Sequence, residues 1–242
     1  MRSFDTISKK ISEAPSIDFG DLFNESVAVF KKVWLQGFLL QLITIALSLP
    51  LLFFNFINFS DFSNNSVPLQ FGTAAVIYYG LTVVLAVVSS FLTFGFFRVI
   101  RQMDKGEDFK TVDFFYFFNT ERIKKALLVV LANVAVVILA LLLCVFPVFY
   151  VVIPLMFVTP IFVYNPELSI SEVLKSSFAL GHKKWGITFL ISLLNIIALY
   201  VLILLTCGLG SLFFGCFLQM PIYVLYKKII SFDNSQKTMI KN

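Results

Sequence analysis

Long apolar runs separated by short charged ones dominate the pattern of this chain. Val33–Ile57 and Thr73–Phe97 each supply the roughly 20 apolar residues that an α-helix needs to cross a hydrocarbon core of about 30 Å. Ala126–Asn165 holds no charged residue. That is too long for one crossing and suits two, joined by a tight turn at Cys144-Val145-Phe146-Pro147, because proline cannot continue a helix that it enters at the interior. Gly186–Tyr226 divides in the same way at Cys207-Gly208-Leu209-Gly210. The pattern predicts an all-α integral membrane protein with six transmembrane helices arranged as three hairpins.

A second pattern lies at the start of each hairpin. DFGDLFNESVAVFKKVW (18–34) aligns with SISEVLKSSFALGHKKW (169–185), placing Lys32 on Lys183 and Trp34 on Trp185. KTVDFFYFFNTERIKKA (110–126) repeats the scheme more loosely, so pseudo-repeats start near residues 18, 110 and 169. Phe19, Leu22, Phe23, Val27 and Phe30 recur at i, i+3, i+4, i+8 and i+11, one apolar helix face. Ile170, Val173, Leu174 and Phe178 repeat it. Asp18 suits a cap, and Ser169-x-x-Glu172 is a capping box. Acids open these segments and lysines close them, complementing the helix dipole. Each hairpin is therefore expected to be entered by a cytoplasmic, interfacial amphipathic helix. The even spans also correspond, with Thr159-Pro160 matching Met220-Pro221 and Phe94-Gly95 filling that place in the second span. The expected organisation is a cytoplasmic N-terminal arm (1–17), a six-helix membrane domain (18–226) and a cytoplasmic tail (227–242).

Composition agrees: 59% of residues are hydrophobic, 14% are charged, and mean hydropathy is +0.91. All 19 lysines and arginines fall in the N-terminal arm and its first repeat unit, the 98–125 and 175–184 loops, or the tail. The opposite loops hold none. By the positive-inside rule both termini face the cytoplasm. No apolar leader precedes the first span, so that span is expected to direct insertion. The net charge of +5 reports orientation, and no basic patch interleaved with aromatics points to nucleic acid.

Candidate chemistry is sparse. Cys144, Cys207 and Cys216 lie in apolar runs without metal spacing, and no motif for a cofactor or for hydrolysis occurs. His182, the only histidine, occupies the position of Lys31 in the first unit and has no catalytic partner by spacing. Lys31, Lys32, Trp34, Lys183, Lys184 and Trp185 are candidate interfacial anchors, with cations and indole at headgroup level. No ionisable residue lies inside a predicted span, which argues against a proton-coupled pump. The spans do hold amides, of which Gln41, Asn133, Asn195 and Gln219 are the candidate intramembrane polar positions. They serve either as hydrogen-bonding glue between helices or as a polar cavity between repeats. Pro154 is expected to kink the fourth span.

DFGDLFNESVAVFKKVW, RVIRQMDKGEDFKTVDFF and PIFVYNPELSISEVLKSSFALGHKKWG together resemble the bacterial multi-pass family related to the glycerophosphoryl-diester-phosphodiesterase membrane domain. The resemblance spans about Asp18 to Tyr226 and implies an all-helical inner-membrane protein of mostly undefined activity. Some members carry a soluble phosphodiesterase barrel; none is expected within these 242 residues, so the resemblance assigns no catalytic residue. Two functions fit. One is a non-catalytic module binding membrane lipid, or a membrane or cytoplasmic protein partner, through its lysines. The other is a permease for an uncharged or amphiphilic molecule.

The topology has a direct check. In a background without native cysteines, Lys105→Cys and Asp61→Cys are expected to label from opposite faces of the bilayer. Labelling of both from one face would overturn the assignment.

Overall fold

The apolar runs fold as helices because a backbone in hydrocarbon must satisfy its own hydrogen bonds. The computed structural model describes residues 4–63, 73–143 and 145–231, and no strand occurs among them. The polar loop at 64–72, Cys144, Arg2 and the tail beyond Ser231, with Lys237 and Lys241, lie outside the described residues. Among the described residues ten α-helices carry the fold: α1 (Phe4–Ser12), α2 (Phe19–Ser63), α3 (Thr73–Asp104), α4 (Thr120–Leu142), α5 (Val145–Met156), α6 (Val158–Tyr164), α7 (Ile170–Lys183), α8 (Trp185–Leu205), α9 (Leu209–Phe214) and α10 (Met220–Ile230). Six helical segments are long and apolar enough to cross a membrane, and the chain is a multi-pass membrane protein. α2 with α3, α4 with α5–α6, and α8 with α9–α10 form the three hairpins. The turn between α8 and α9 falls at Cys207-Gly208, both with positive φ.

The three entry segments differ. The first is no separate helix: α2 runs unbroken for 45 residues from Phe19 through its span. Asp18 caps it, accepting from the Gly20 and Asp21 amides at 2.8 and 3.2 Å, and no glycine or proline interrupts it between Asp21 and Gln36. The second is a 3-10 helix, Thr111–Phe118, which puts Phe114 and Phe117 on one buried edge three residues apart. Only the third, α7, is a distinct α-helix, and its capping box forms as the sequence predicts. The Ser169 amide donates to Glu172 Oε2 at 2.8 Å and the Glu172 amide to Ser169 Oγ at 3.3 Å. The hydrogen bonds from Ser169 hold the Glu172 carboxyl below its ordinary pKa.

The corresponding prolines and glycine act differently. The fourth span breaks between α5 and α6, where Phe157 N donates to the Pro154 carbonyl at 3.1 Å. The sixth breaks too, through a 3-10 turn at Gly215–Gln219. Pro160 and Pro221 each lie in the first turn of the restarted helix, where a missing N–H removes no intrahelical bond. Gly95, at the same register, leaves α3 unbroken. Its bare backbone instead admits the Phe114 carbonyl, which a Cβ there would overlap. Gly181 of α7 likewise lies against the backbone of Pro154.

Packing is concentrated at the end of the bundle where the lysines and arginines gather, called here the basic end. Tyr164, Tyr223, Tyr226 and Phe114 are fully buried there. At the other end Leu142, Leu204 and Leu205 are 77–80% exposed, as lipid-facing side chains must be.

The tight glycines make a test. Gly95→Ala and Gly181→Ala should each lower the detergent melting transition by an amount equivalent to about 1–3 kcal/mol, the usual cost of overpacking. Gly80→Ala, with open space around it, should not.

Candidate functional site

The basic end holds a closed electrostatic knot that the repeat pattern does not reveal. Asp104, the last residue of α3, accepts from Lys227 Nζ at 2.7 Å, Lys32 Nζ at 3.0 Å and Tyr223 Oη at 3.0 Å. Glu25 of α2 extends it, at 3.5 Å from Lys227 and 3.0 Å from Lys228. The knot joins α2, α3 and α10, and the Asp104 side chain is only 9% exposed. Beside it Tyr164 donates to the Phe97 carbonyl, and Asn165 Nδ2 donates to Tyr226 Oη at 2.9 Å. The guanidinium groups of Arg98 and Arg122 rest on the Tyr116 ring, 3.7 and 4.1 Å from its centroid. Both carboxylates of the knot are saturated by lysines, so the arrangement fastens helices.

Most of the candidate anchors are likewise occupied within the protein. Lys32 belongs to the knot. Lys183 donates to the Ser12 carbonyl and Lys184 to the Pro15 carbonyl. Both therefore hold the N-terminal arm, whose helix α1 buries Ile7 and Ile11 against α7 and α10. Lys10 completes the attachment, donating to the Ile230 carbonyl at 2.8 Å. Trp185 stacks between Tyr150 and Phe189, and its indole N–H donates to the Tyr150 carbonyl at 3.2 Å. His182 pairs its Nδ1 with the Tyr150 hydroxyl, so it too ties α7 to α5. Lys31 and Trp34 remain open, with Trp34 45% exposed. The sequence offered one overlooked signal for the arm: Phe4, Ile7 and Ile11 share a helix face.

The intramembrane amides are not glue to one another. Among the described residues no hydrogen bond joins any two of Gln41, Asn133, Asn195 and Gln219. Gln41 packs against Gly215. Asn133 Oδ1, Asn195 Nδ2 and Gln219 Oε1 are buried and make no hydrogen bond. Asn195 is 6% exposed and lies on one face of α8 with Thr188 and Ser192, at i, i+4 and i+7. Thr188 is fully buried, and its hydroxyl also makes no hydrogen bond. That is unusual in this molecule. Thr44, Thr82, Ser90, Thr93 and Thr206 all return their hydroxyls to the carbonyl four residues earlier, at 2.6–2.9 Å. Ser192 reaches only the Met156 sulfur, at 3.9 Å. Sequence reading found Asn195 but not this row, because serine and threonine are ordinary in membrane helices and only their bonding distinguishes these two.

Among the described residues no group of three or more His, Cys, Asp or Glu side chains could hold a metal ion. No family model, curated protein or solved structure matches the chain.

Asp104→Asn keeps the shape of the knot while removing its charge. It should lower unfolding free energy by about 2 kcal/mol, reduced from the fully buried case because Lys32 and Lys227 are partly solvated. In a double-mutant cycle, Lys227→Met should be strongly non-additive with Asp104→Asn, and a purely additive pair would dismiss the knot as a fastening.

Proposed function

We propose that the protein is a non-catalytic membrane module, and a candidate permease, that binds an amphiphilic molecule at bilayer depth between its hairpins. The observation supporting this is the polar row on α8. Thr188 and Asn195 present buried hydrogen-bonding groups, without protein partners, on a helix otherwise suited to hydrocarbon. A buried polar group without a partner is costly, and a ligand that satisfies it recovers that cost. Headgroup binding through lysines has less support. Of Lys31, Lys32, Lys183 and Lys184, Lys31 alone makes no polar contact through its ammonium among the described residues. The charge distribution favours both termini, and with them the basic end, on the cytoplasmic side, and the family resemblance favours a bacterial inner membrane. The family resemblance is compatible with this reading and contributes no site residues.

The test is recovery of small molecules with the protein. Purified from its native membrane in mild detergent, the full chain is expected to retain an amphiphile detectable by mass spectrometry. Thr188→Val combined with Asn195→Leu should lose it while keeping the helical content and melting transition of the parent. Equal retention by both proteins would retire the reading.

A further inference from the structure

Lys184 stands at the head of the α8 row. It is 8% exposed, yet its ammonium is held by an uncharged acceptor, the Pro15 carbonyl. Among the described residues no carboxylate lies within ion-pair distance of it. Lys227 and Lys32, at the same end of the bundle, share the Asp104 carboxylate instead. The ammonium itself is part-buried, and a charge so placed and met only by a carbonyl dipole is under-compensated. Burial, with the neighbouring Lys183, pushes the Lys184 pKa down.

Thr188, Ser192 and Asn195 share one face of α8, and Lys184, its N-cap, stands four residues before Thr188, so the row extends over about 16 Å at 1.5 Å per residue. The groups facing a ligand are two donors, the ammonium and the Asn195 amide N–H, and the Thr188 hydroxyl, which can donate or accept. One is charged and at the membrane edge, and two are neutral and progressively deeper. We propose that this row binds an amphiphile with an anionic head. Its carboxylate or phosphate oxygen takes the Lys184 ammonium from Pro15, and oxygen acceptors further along the molecule meet Thr188 and run towards Asn195. The inference rests on the amphiphile-binding reading above and adds the charge and placement of the head. A soluble anion would satisfy Lys184 and leave Thr188 and Asn195 as they are. Arm and ligand head compete for one ammonium, so occupation loosens the attachment of α1.

Trp185, the residue after Lys184, supplies the readout. The full chain with Trp34→Phe, in phosphatidylcholine nanodiscs, is titrated with dibromostearoyl-glycerol phosphate, whose hydroxyl and ester oxygens lie below an anionic head, with the uncharged dibromostearoyl glycerol, or with inorganic phosphate. The phosphate ester should quench Trp185 saturably, and the uncharged glyceride should bind more weakly. Lys184→Gln should weaken binding of the phosphate ester at least about tenfold, as expected for one charge-assisted hydrogen bond. Lys184→Arg should retain it, and so should Lys183→Gln, which loses the neighbouring arm contact. If the glyceride matches the phosphate ester and Lys184→Gln changes nothing, the anionic-head inference falls while the amphiphile site stands. If quenching by either lipid is indifferent to Thr188→Val with Asn195→Leu, the amphiphile reading itself falls. Displacement of the phosphate ester by inorganic phosphate would overturn the proposal in favour of a free-anion site.

Discussion

A cation cannot be left in hydrocarbon without a large desolvation cost, and the layout of this molecule follows from that constraint. It drives every lysine and arginine out of the apolar runs. Because the hairpins bring alternate helix ends together, the cations among the described residues meet at one end of the bundle. There they find carboxylates, tyrosine rings and backbone carbonyls, and the helices become tied to one another. Asp104 joins α2, α3 and α10; Lys183 and Lys184 hold the arm. The same exclusion that orients the chain therefore also cross-links it.

Much of the fold could be read from the sequence because membrane helices are set by length and polarity, both of which are local. The six spans, the turn at Cys207-Gly208, the Ser169 capping box and the weakness at Pro154 all follow from residues within a few positions. What could not be read was long-range. A lysine shows its charge in sequence but not its acceptor. Lys32 and Asp104 are 72 residues apart, and Lys183 and Ser12 are 171 apart. Anchoring to lipid and anchoring to the protein's own backbone look the same until the partner is seen.

The pseudo-repeats show how similar sequence diverges in structure through single residues. At one register Pro160 and Pro221 open restarted helices, whereas Gly95 preserves a continuous one and uses its missing side chain for a close backbone approach. The entry segments diverge likewise into a helix continuous with its span, a 3-10 turn and a free-standing helix. The α8 row is shared only in part: the alignment puts Lys125 on Lys184, Gln41 and Asn133 on Ser192, and Thr44 on Asn195. The hydroxyl of Thr188, where the other units have Gly37 and Val129, belongs to the third repeat alone.

The uneven burial of the bundle bears on its mechanics. Side chains interlock around Tyr164, Tyr223 and Phe114, whereas Leu142, Leu204 and Leu205 touch little but the surrounding solvent of lipid tails. On that side the spacing of the hairpins is governed by lateral pressure and acyl-chain order rather than by protein contacts. Thickness and fluidity of the host bilayer thus become determinants of shape at one rim and are nearly irrelevant at the other.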